Sequence, residues 1–488
     1  MLRSQRVFII AIALTAQGCA AGPDYHAPPP AVLAVPDAYT TPAGTDGATG
    51  DNRQWWLNFN DPVLDGIVDA ALKNNLDIAQ AVARLRQARE SLVQQRSVLF
   101  PSVNGSAGYS RNIDIKGRTF GTVTNAGITN ENYSLGADVS YQLDIFGGNR
   151  RAAQSAKRSY EASGYSLAQV QASIASEVAR NYILARAAQA STAIAEGSLK
   201  IQDENLEIAG YRAQAGLVSS LDAEQSRAQR AQTAAQVPVF EQNFNSAANR
   251  LGVLTGQAPG SLRQRLVETA PIPKGPEAVP VGIPGDIIRL RPDVRAAERT
   301  LAAAVAQIGV AQAQFYPQFS IGGSITSNAN TFSSLGDIIT GRVFANIAQT
   351  IFDAGRTKSV VRARRAAAEQ AFASYKSTVL AALEDVENGM TALRTAQARQ
   401  HEFEIASDAS NNAAILARSQ YRAGLTDITT LNTAEAALLS AESGLSNARS
   451  DQAQALVQLY LALGGGWDPA APPPTATPLK RGDGQPAQ

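Results

Sequence analysis

The sequence predicts a mixed α and β membrane protein, internally duplicated, with four transmembrane β-strands per chain and a long helical hairpin in each half. Three observations predict it. Landmarks recur at a nearly constant offset: 216 from Pro101 to Pro317, 206 from Phe146 to Phe352, 208 from Gly216 to Gly424 and 209 from Gly256 to Gly465. Such self-similarity marks a repeated unit. The segment from Leu135 to Ile145 alternates strictly between apolar and polar residues. Two tracts, 102–237 and 318–468, contain no proline and are rich in Ala and Gln.

The strands come first in each repeat. Leu135, Ala137, Val139, Tyr141, Leu143 and Ile145 share one face, and Gly136, Asp138, Ser140, Gln142 and Asp144 the other. Side chains alternate across a strand, so one face is apolar and one polar. About 9–11 such residues cross a bilayer when tilted. Val103, Gly105, Ala107 and Tyr109 repeat the pattern, as do Ile321, Gly323, Ile325 and then Val343, Ala345, Ile347, Ile351. The expected strands are 102–112, 133–146, 318–328 and 341–352, joined by Gly/Asn/Thr-rich loops at 114–132 and 328–341.

Long helices follow, expected as hairpins over 150–255 and 355–464. The stretch 150–215 alone would extend roughly 100 Å at about 1.5 Å per residue. Phe372, Tyr375, Val379, Leu383, Val386, Met390 and Leu393 step by three and four. Leu431, Leu438 and Leu445 step by seven, with Ala434, Ala441 and Ala448 between them. These are coiled-coil seams with small partners that permit close approach. Each run turns back at a glycine, at Gly216-Leu217-Val218-Ser219 and Gly424-Leu425-Thr426-Asp427.

Four strands cannot close on themselves. Open edges in lipid leave backbone groups unpaired, and membrane barrels need about eight strands or more. The chain is therefore expected to oligomerise. A homotrimer gives a 12-strand barrel around a polar lumen, with the hairpins forming a helical tube beneath it.

The first 18 residues read as an export signal, with Arg3 and Arg6 before the apolar run Val7–Leu14. Ala16-Gln17-Gly18 then precedes Cys19, the chain's one cysteine, which is the expected lipidation site. Ala20 in place of Asp favours the outer membrane. Residues 19–52 read as an extended tether and 467–488 as a disordered tail, from their Pro, Ala and Gly content. Between them lie repeat 1 (53–257), a connection (258–290) and repeat 2 (291–466). A net charge of +1 over 488 residues offers no case for nucleic acid. No stretch is long and apolar enough for a transmembrane helix.

These features resemble the TolC-like outer-membrane efflux factors, and within them the lipoprotein branch of NodT type. The resemblance rests on Gly22-Pro23-Asp24-Tyr25, Trp55-Trp56, Asp61-Pro62, Arg291-Pro292-Asp293-Val294 with Glu298, Tyr421-Arg422-Ala423-Gly424, and Leu459-Tyr460-Leu461-Ala462-Leu463-Gly464-Gly465-Gly466-Trp467. It implies a trimeric channel with a small equatorial domain, conducting passively, partnered by a periplasmic adaptor and an inner-membrane resistance-nodulation-division transporter. It places adaptor docking at Gly216, Leu217, Gly424 and Leu425. It places a periplasmic constriction at Asp222 and Tyr421, with Asp427, Thr429, Thr430 and Thr433 where relatives commonly carry Leu or Asp rings. Thr426 falls where some members have Arg. The expected gate therefore rests on hydroxyls, Asp222, Asp427 and packing, and opens more easily than a carboxylate ring. A shift of the alignment would instead make Leu431 the plug.

The drug or metal efflux role is favoured over peptide or protein export by a type I secretion system. A pore-less coiled-coil scaffold would not account for the amphipathic strands. An enzyme is not expected. The two histidines, His26 and His401, are far apart, and no metal or cofactor motif occurs. Glu384, Asp385 and Glu387 read as a solvated helix face.

Overall fold

The computed structural model describes residues 20–41, 52–112 and 130–468. Eight helices longer than ten residues and four strands make up the frame. They are α1 (Pro62–Asn74), α2 (Leu76–Ser97), β1 (Ser102–Asn112), β2 (Asn130–Leu143), α3 (Gly148–Gln214), α4 (Ser220–Ala234), α5 (Val237–Leu254), α6 (Pro292–Ala313), β3 (Gln318–Ala329), β4 (Thr340–Ala348), α7 (Arg356–Arg422) and α8 (Ile428–Ala462). The duplication is visible in their lengths. α2 and α6 both have 22 residues, and α3 and α7 both have 67. The return limb is one helix of 35 residues in repeat 2 but is split into α4 and α5 in repeat 1. The split falls where Pro238 opens α5, because proline removes a donor and crowds the preceding turn. The hairpin expected over 150–255 therefore has a return limb broken in two.

Two compact units result. The first holds Arg86–Ala162, Ala297–Ser374 and the chain up to Ala27. Its sheet has the order β1-β2-β3-β4, antiparallel throughout. Register aligns the two faces of the alternating pattern. Val103, Val139, Gly323 and Val343 form one row, and Asn104, Asp138, Ser324 and Arg342 the next. The apolar row is exposed, with Val103 at 69 %, Val139 at 42 % and Val343 at 86 %. β1 pairs with β2 and β4 with β3, and each has an open outer edge among the described residues.

The strands end earlier than expected, at Leu143 and Ala348 rather than 146 and 352, and β2 starts at Asn130 rather than 133. One device explains both early ends. The Asp144 carboxylate accepts from the Asn149 and Arg150 amides at 3.0 and 2.8 Å. The Asp353 carboxylate accepts from the Gly355 and Thr357 amides at 3.0 and 2.8 Å. Each carboxylate satisfies free amides at the start of the next helix and turns the chain out of the sheet. The loop expected at 114–132 lies largely outside the described residues. The loop expected at 328–341 contains a 3-10 turn, Phe332–Ser334.

The second unit holds Pro28–Leu85, Ser163–Ala296 and the chain from Tyr375. Several motif residues are its joints. Asp61 caps α1, accepting from Val63 and Leu64 amides at 2.9 and 3.2 Å, with Pro62 in the first turn. Leu64, Ile67, Val68 and Ala71 then share one buried face. Each large side chain so buried contributes about 1.5–3 kcal/mol. Trp55 stacks on Tyr460 with ring centroids 5.5 Å apart. Arg291 pairs with Asp293 at 2.7 Å and Asp385 at 3.0 Å and donates to the Ala462 carbonyl at 3.1 Å. The seam residues Tyr375, Val379, Leu383, Val386, Met390 and Leu393 are all buried.

Glu384 and Asp385 are exposed, as a solvated helix face implies, yet the face is not idle. Asp385 holds Arg291, and Glu387 accepts from the Thr40 and Thr41 amides at 2.5 and 3.1 Å. The described part of the expected tether is also held at several points. In the second unit, Leu33 is fully buried beside a 3-10 turn at Pro30–Leu33. In the first unit, Ala21 donates to the Phe146 carbonyl at 2.9 Å and the Tyr25 hydroxyl to Glu298 at 2.9 Å. Proline and alanine leave the backbone extended, yet its polar groups still find partners. Cys19, the export signal and the tail from 469 lie outside the described residues.

Candidate functional site: the hairpin tips

Both tips are built alike. At the end of α3, Gly216 adopts φ 71°, and Leu217 donates back to the Arg212 carbonyl at 2.9 Å. At the end of α7, Gly424 adopts φ 76°, and Leu425 donates back to the Gln420 carbonyl at 2.9 Å. These are left-handed glycine C-caps, where a side chain would strain the backbone. Two residues later a polar side chain starts the return helix. Ser219 accepts from the Leu221 amide at 3.2 Å, and Asp427 from the Thr430 amide at 2.7 Å. The backbone amide of Thr430 holds the Asp427 carboxyl below the usual range. Between the caps, Leu217 and Leu425 stand 71 % and 79 % exposed. A turn this tight leaves its apolar residue no partner in the chain.

The residues expected at the constriction divide into three groups. Tyr421 is buried with Ala417, Ile428 and Leu431. Its phenol is pushed up by burial, opposed by the Arg212 cation and reinforced by Asp222. Asp222 is half-buried in the first turn of α4. Asp427 is occupied as a cap. Thr429, Thr430 and Thr433 share the exposed side of α8, and the Thr433 hydroxyl donates to the Thr429 carbonyl at 2.7 Å. Leu431 is fully buried against Tyr421, which overturns its reading as a plug.

One residue at this site was missed by sequence reasoning. Arg212 of α3 places its guanidinium carbon 4.9 Å from the Tyr421 ring centroid and donates to the Tyr421 carbonyl at 2.9 Å. It joins the two hairpins with a cation, where Thr426 seemed to leave none. Within the second hairpin, Arg418 of α7 pairs with Glu435 of α8 through two nitrogens. Glu435 is 2 % exposed, and the pair borders a cleft of about 690 Å³ lined by Ile194, Ile201, Leu438 and Glu442. Burial pushes the Glu442 carboxyl up.

The sequence profile described as outer membrane efflux protein matches residues 67–257 and 283–465, both repeats. The chain belongs to that family. Nodulation protein T of Rhizobium leguminosarum bv. trifolii is 29 % identical over 464 residues, covering 94 % of this chain and 97 % of that one. The pyoverdine export outer membrane protein OpmQ of Pseudomonas aeruginosa is 30 % identical over 463 residues, covering 94 % and 96 %. The solved outer-membrane channel OprN superposes with a TM-score of 0.84 at 34 % identity, covering 92 % of this chain and 100 % of that one. This outer membrane efflux protein is thus a transport component, the outer-membrane channel of a tripartite efflux system. Its fold is that of the TolC-like channels, with the helical hairpins on the periplasmic side.

Proposed function

We propose that three copies of this chain close a 12-strand pore and conduct small toxic molecules, drugs or metal ions passively out of the cell. A periplasmic adaptor and an inner-membrane resistance-nodulation-division transporter supply cargo and energy. The observation that carries the reading is the sheet itself. It has an exposed apolar row, a polar row on the opposite face and two edges, β1 and β4, left open among the described residues, which further copies of the chain would pair in lipid. Relatives are named for pyoverdine export, antibiotic efflux and toluene efflux, which fits a pore that leaves selection to the pump.

Leu217 and Leu425, set by Gly216 and Gly424, are the adaptor contacts in this reading. Exposed apolar groups at both turn apices suit an apolar partner surface. Asp222, Tyr421 and Arg212, with the exposed hydroxyls of Thr429, Thr430 and Thr433, form the constriction, and Asp427 holds its helix end. Cys19 carries the lipid.

The deciding measurement is the mass of the detergent-extracted complex together with its conductance in a planar bilayer. A trimer that passes ions is expected; a stable lone subunit that passes none would end the proposal. Leu217→Asp with Leu425→Asp should leave the trimer intact and abolish resistance in a strain that depends on this channel. Mass spectrometry of the mature N-terminus reports the lipid.

A further inference from the structure

We propose that Arg151, Gly22 and Gly309 form a clamp that fixes the chain directly after residue 19 to the feet of the strands. An anchor at Cys19 would then be seated against the sheet rather than held on a slack leash. All the contacts lie within the first unit. The Arg151 side chain is 7 % exposed. Its Nε donates to the Ala21 carbonyl at 3.1 Å, and its Nη2 donates to the Gly22 carbonyl at 3.2 Å and pairs with Asp24 at 2.8 Å. Its Nη1 is held by Gln154 at 2.8 Å, which fixes the fork. On the other side, Ala21 donates to the Phe146 carbonyl at 2.9 Å, in the turn that follows β2.

The two glycines make room. Gly22 adopts φ 93°, and a Cβ there would lie 2.3 Å from the Gly309 Cα. A Cβ on Gly309 would lie 2.6 Å from the Ala21 carbonyl oxygen and 2.9 Å from Arg151 Cγ. No side chain fits at either position without expelling the segment.

The duplication supplies an internal control. At the offset of 216 that relates α2 to α6, Gly309 corresponds to Val93, which is exposed. Glycine inside a helix costs about 1 kcal/mol relative to alanine. Repeat 2 carries that cost where the N-terminal segment crosses it, and repeat 1 does not. At the offset of 208 that relates α3 to α7, Arg151 corresponds to Ser359, which has no guanidinium to reach across; each amide donates to the carbonyl of the left-handed glycine four residues before it, at 2.9 Å. The chain has one N-terminal segment, and only one repeat has the arginine and only the other the glycine that grip it.

The clamp has a consequence for lipid. A Cβ on Gly147 would lie 3.0 Å from the Ala20 Cα, so Ala20 abuts the foot of β2. Phe146 stacks on Tyr316 at 4.5 Å, and Phe100, Ile351 and Phe352 stand exposed at the other strand ends. A lipid joined to the chain just before Ala20 would start beside this apolar collar. This consequence rests on lipidation of Cys19; the clamp does not.

The test is hydrogen–deuterium exchange of residues 20–28 in the full-length, detergent-extracted protein. The Ala21 amide should be protected in the native chain. Arg151→Gln and, independently, Gly309→Val should each speed its exchange roughly tenfold or more, the scale of one lost charge-assisted hydrogen bond. Exchange within β2 and β3 should stay unchanged. The two variants act from opposite sides of the segment, so one that misassembles leaves the other informative. Unprotected Ala21 in the native chain, or protection retained in both variants, would overturn the clamp. Protection intact on an unlipidated N-terminus would uphold the clamp and refute lipidation of Cys19.

Discussion

Arg212 caps Tyr421 across the two hairpins, with its guanidinium carbon 4.9 Å from the ring centroid and its Nη1 2.9 Å from the backbone carbonyl. The carbonyl belongs to the last turn of α7, where helix carbonyls lack intrahelical partners and carry partial negative charge. The contact therefore ties the tip of one hairpin to the dipole of the other. A cation–π contact contributes about 0.5–2 kcal/mol and a hydrogen bond to a charged group about 1.5–3 kcal/mol. Arg212→Ala should raise the open population of the closed channel roughly tenfold to a hundredfold. Single-channel recordings check it. Arg212→Lys should fall between, because an ammonium supplies charge without the planar stack. A variant with native conductance would show that the tips are held elsewhere.

Tyr182 donates to the Asp61 carboxylate at 2.7 Å and accepts from Arg186 Nε at 3.0 Å, deep in the second unit. Burial first, then the hydrogen bond to Asp61, pushes its phenol from 10.0 up to about 12. The folded protein thus favours the protonated phenol more than the unfolded chain does. The sign follows from linkage: the contribution is full below pH 10 and is lost as pH rises through about 12. Thermal unfolding followed from pH 9 to pH 12 should show a falling midpoint in the native protein. Tyr182→Phe should be less stable at neutral pH, with a flatter slope over the same window.

How much of this was legible in the sequence depends on the range of the interaction. The strand faces were readable because a period of two is local, and Val103, Val139, Gly323 and Val343 fall in one row as alternation implies. The strand ends were not, because Asp144 looks like one more polar member of the alternation, and Asp353 like a residue just past it, until the amides they bind are in place. The burial of Tyr421 was not legible either. Tyr211 stands five residues before Gly216 and is exposed, whereas Tyr421 stands three before Gly424 and is buried. Two residues turn a helix by roughly 200°, which moves the ring to the opposite face. Arg212 escaped notice because its partner is a carbonyl more than 200 residues away. Its one sequence signal is the triplet Tyr-Arg-Ala, present at 211–213 and again at 421–423.

Arg418 and Glu435 form a fork-to-carboxylate pair with Glu435 almost wholly enclosed. Removing one partner of a buried pair leaves a charge without compensation and typically costs about 3–5 kcal/mol. Arg418→Met should therefore destabilise the protein strongly. Arg418→Met with Glu435→Leu should recover most of the loss, since an apolar pair of similar volume suits the neighbouring Leu438 and Leu439. Denaturant melts of the single and double variants measure the difference. Equal loss in both would mean that the pair sets the helix register and that its charge balance is secondary.

Ile347 and Asn346 are neighbours in β4 with opposite outlooks. Ile347 sits in the row with Leu143 and Phe319, and Asn346 in the row with Gln142 and Ser320. If the first row faces lipid and the second water, the same substitution must behave oppositely at the two positions. An arginine on the lipid face of a barrel costs about 2–4 kcal/mol near the bilayer midplane and about 0–1 kcal/mol near its surfaces. Ile347→Arg should lower the yield of inserted channel and the stability of what inserts. Asn346→Arg should insert normally and shift ion selectivity toward anions, because the added cation stands in the lumen. Outer-membrane yield measures the first, and reversal potential in a salt gradient the second. Equal yields for both variants, with no change in selectivity for Asn346→Arg, would mean that the alternation does not separate lipid from water.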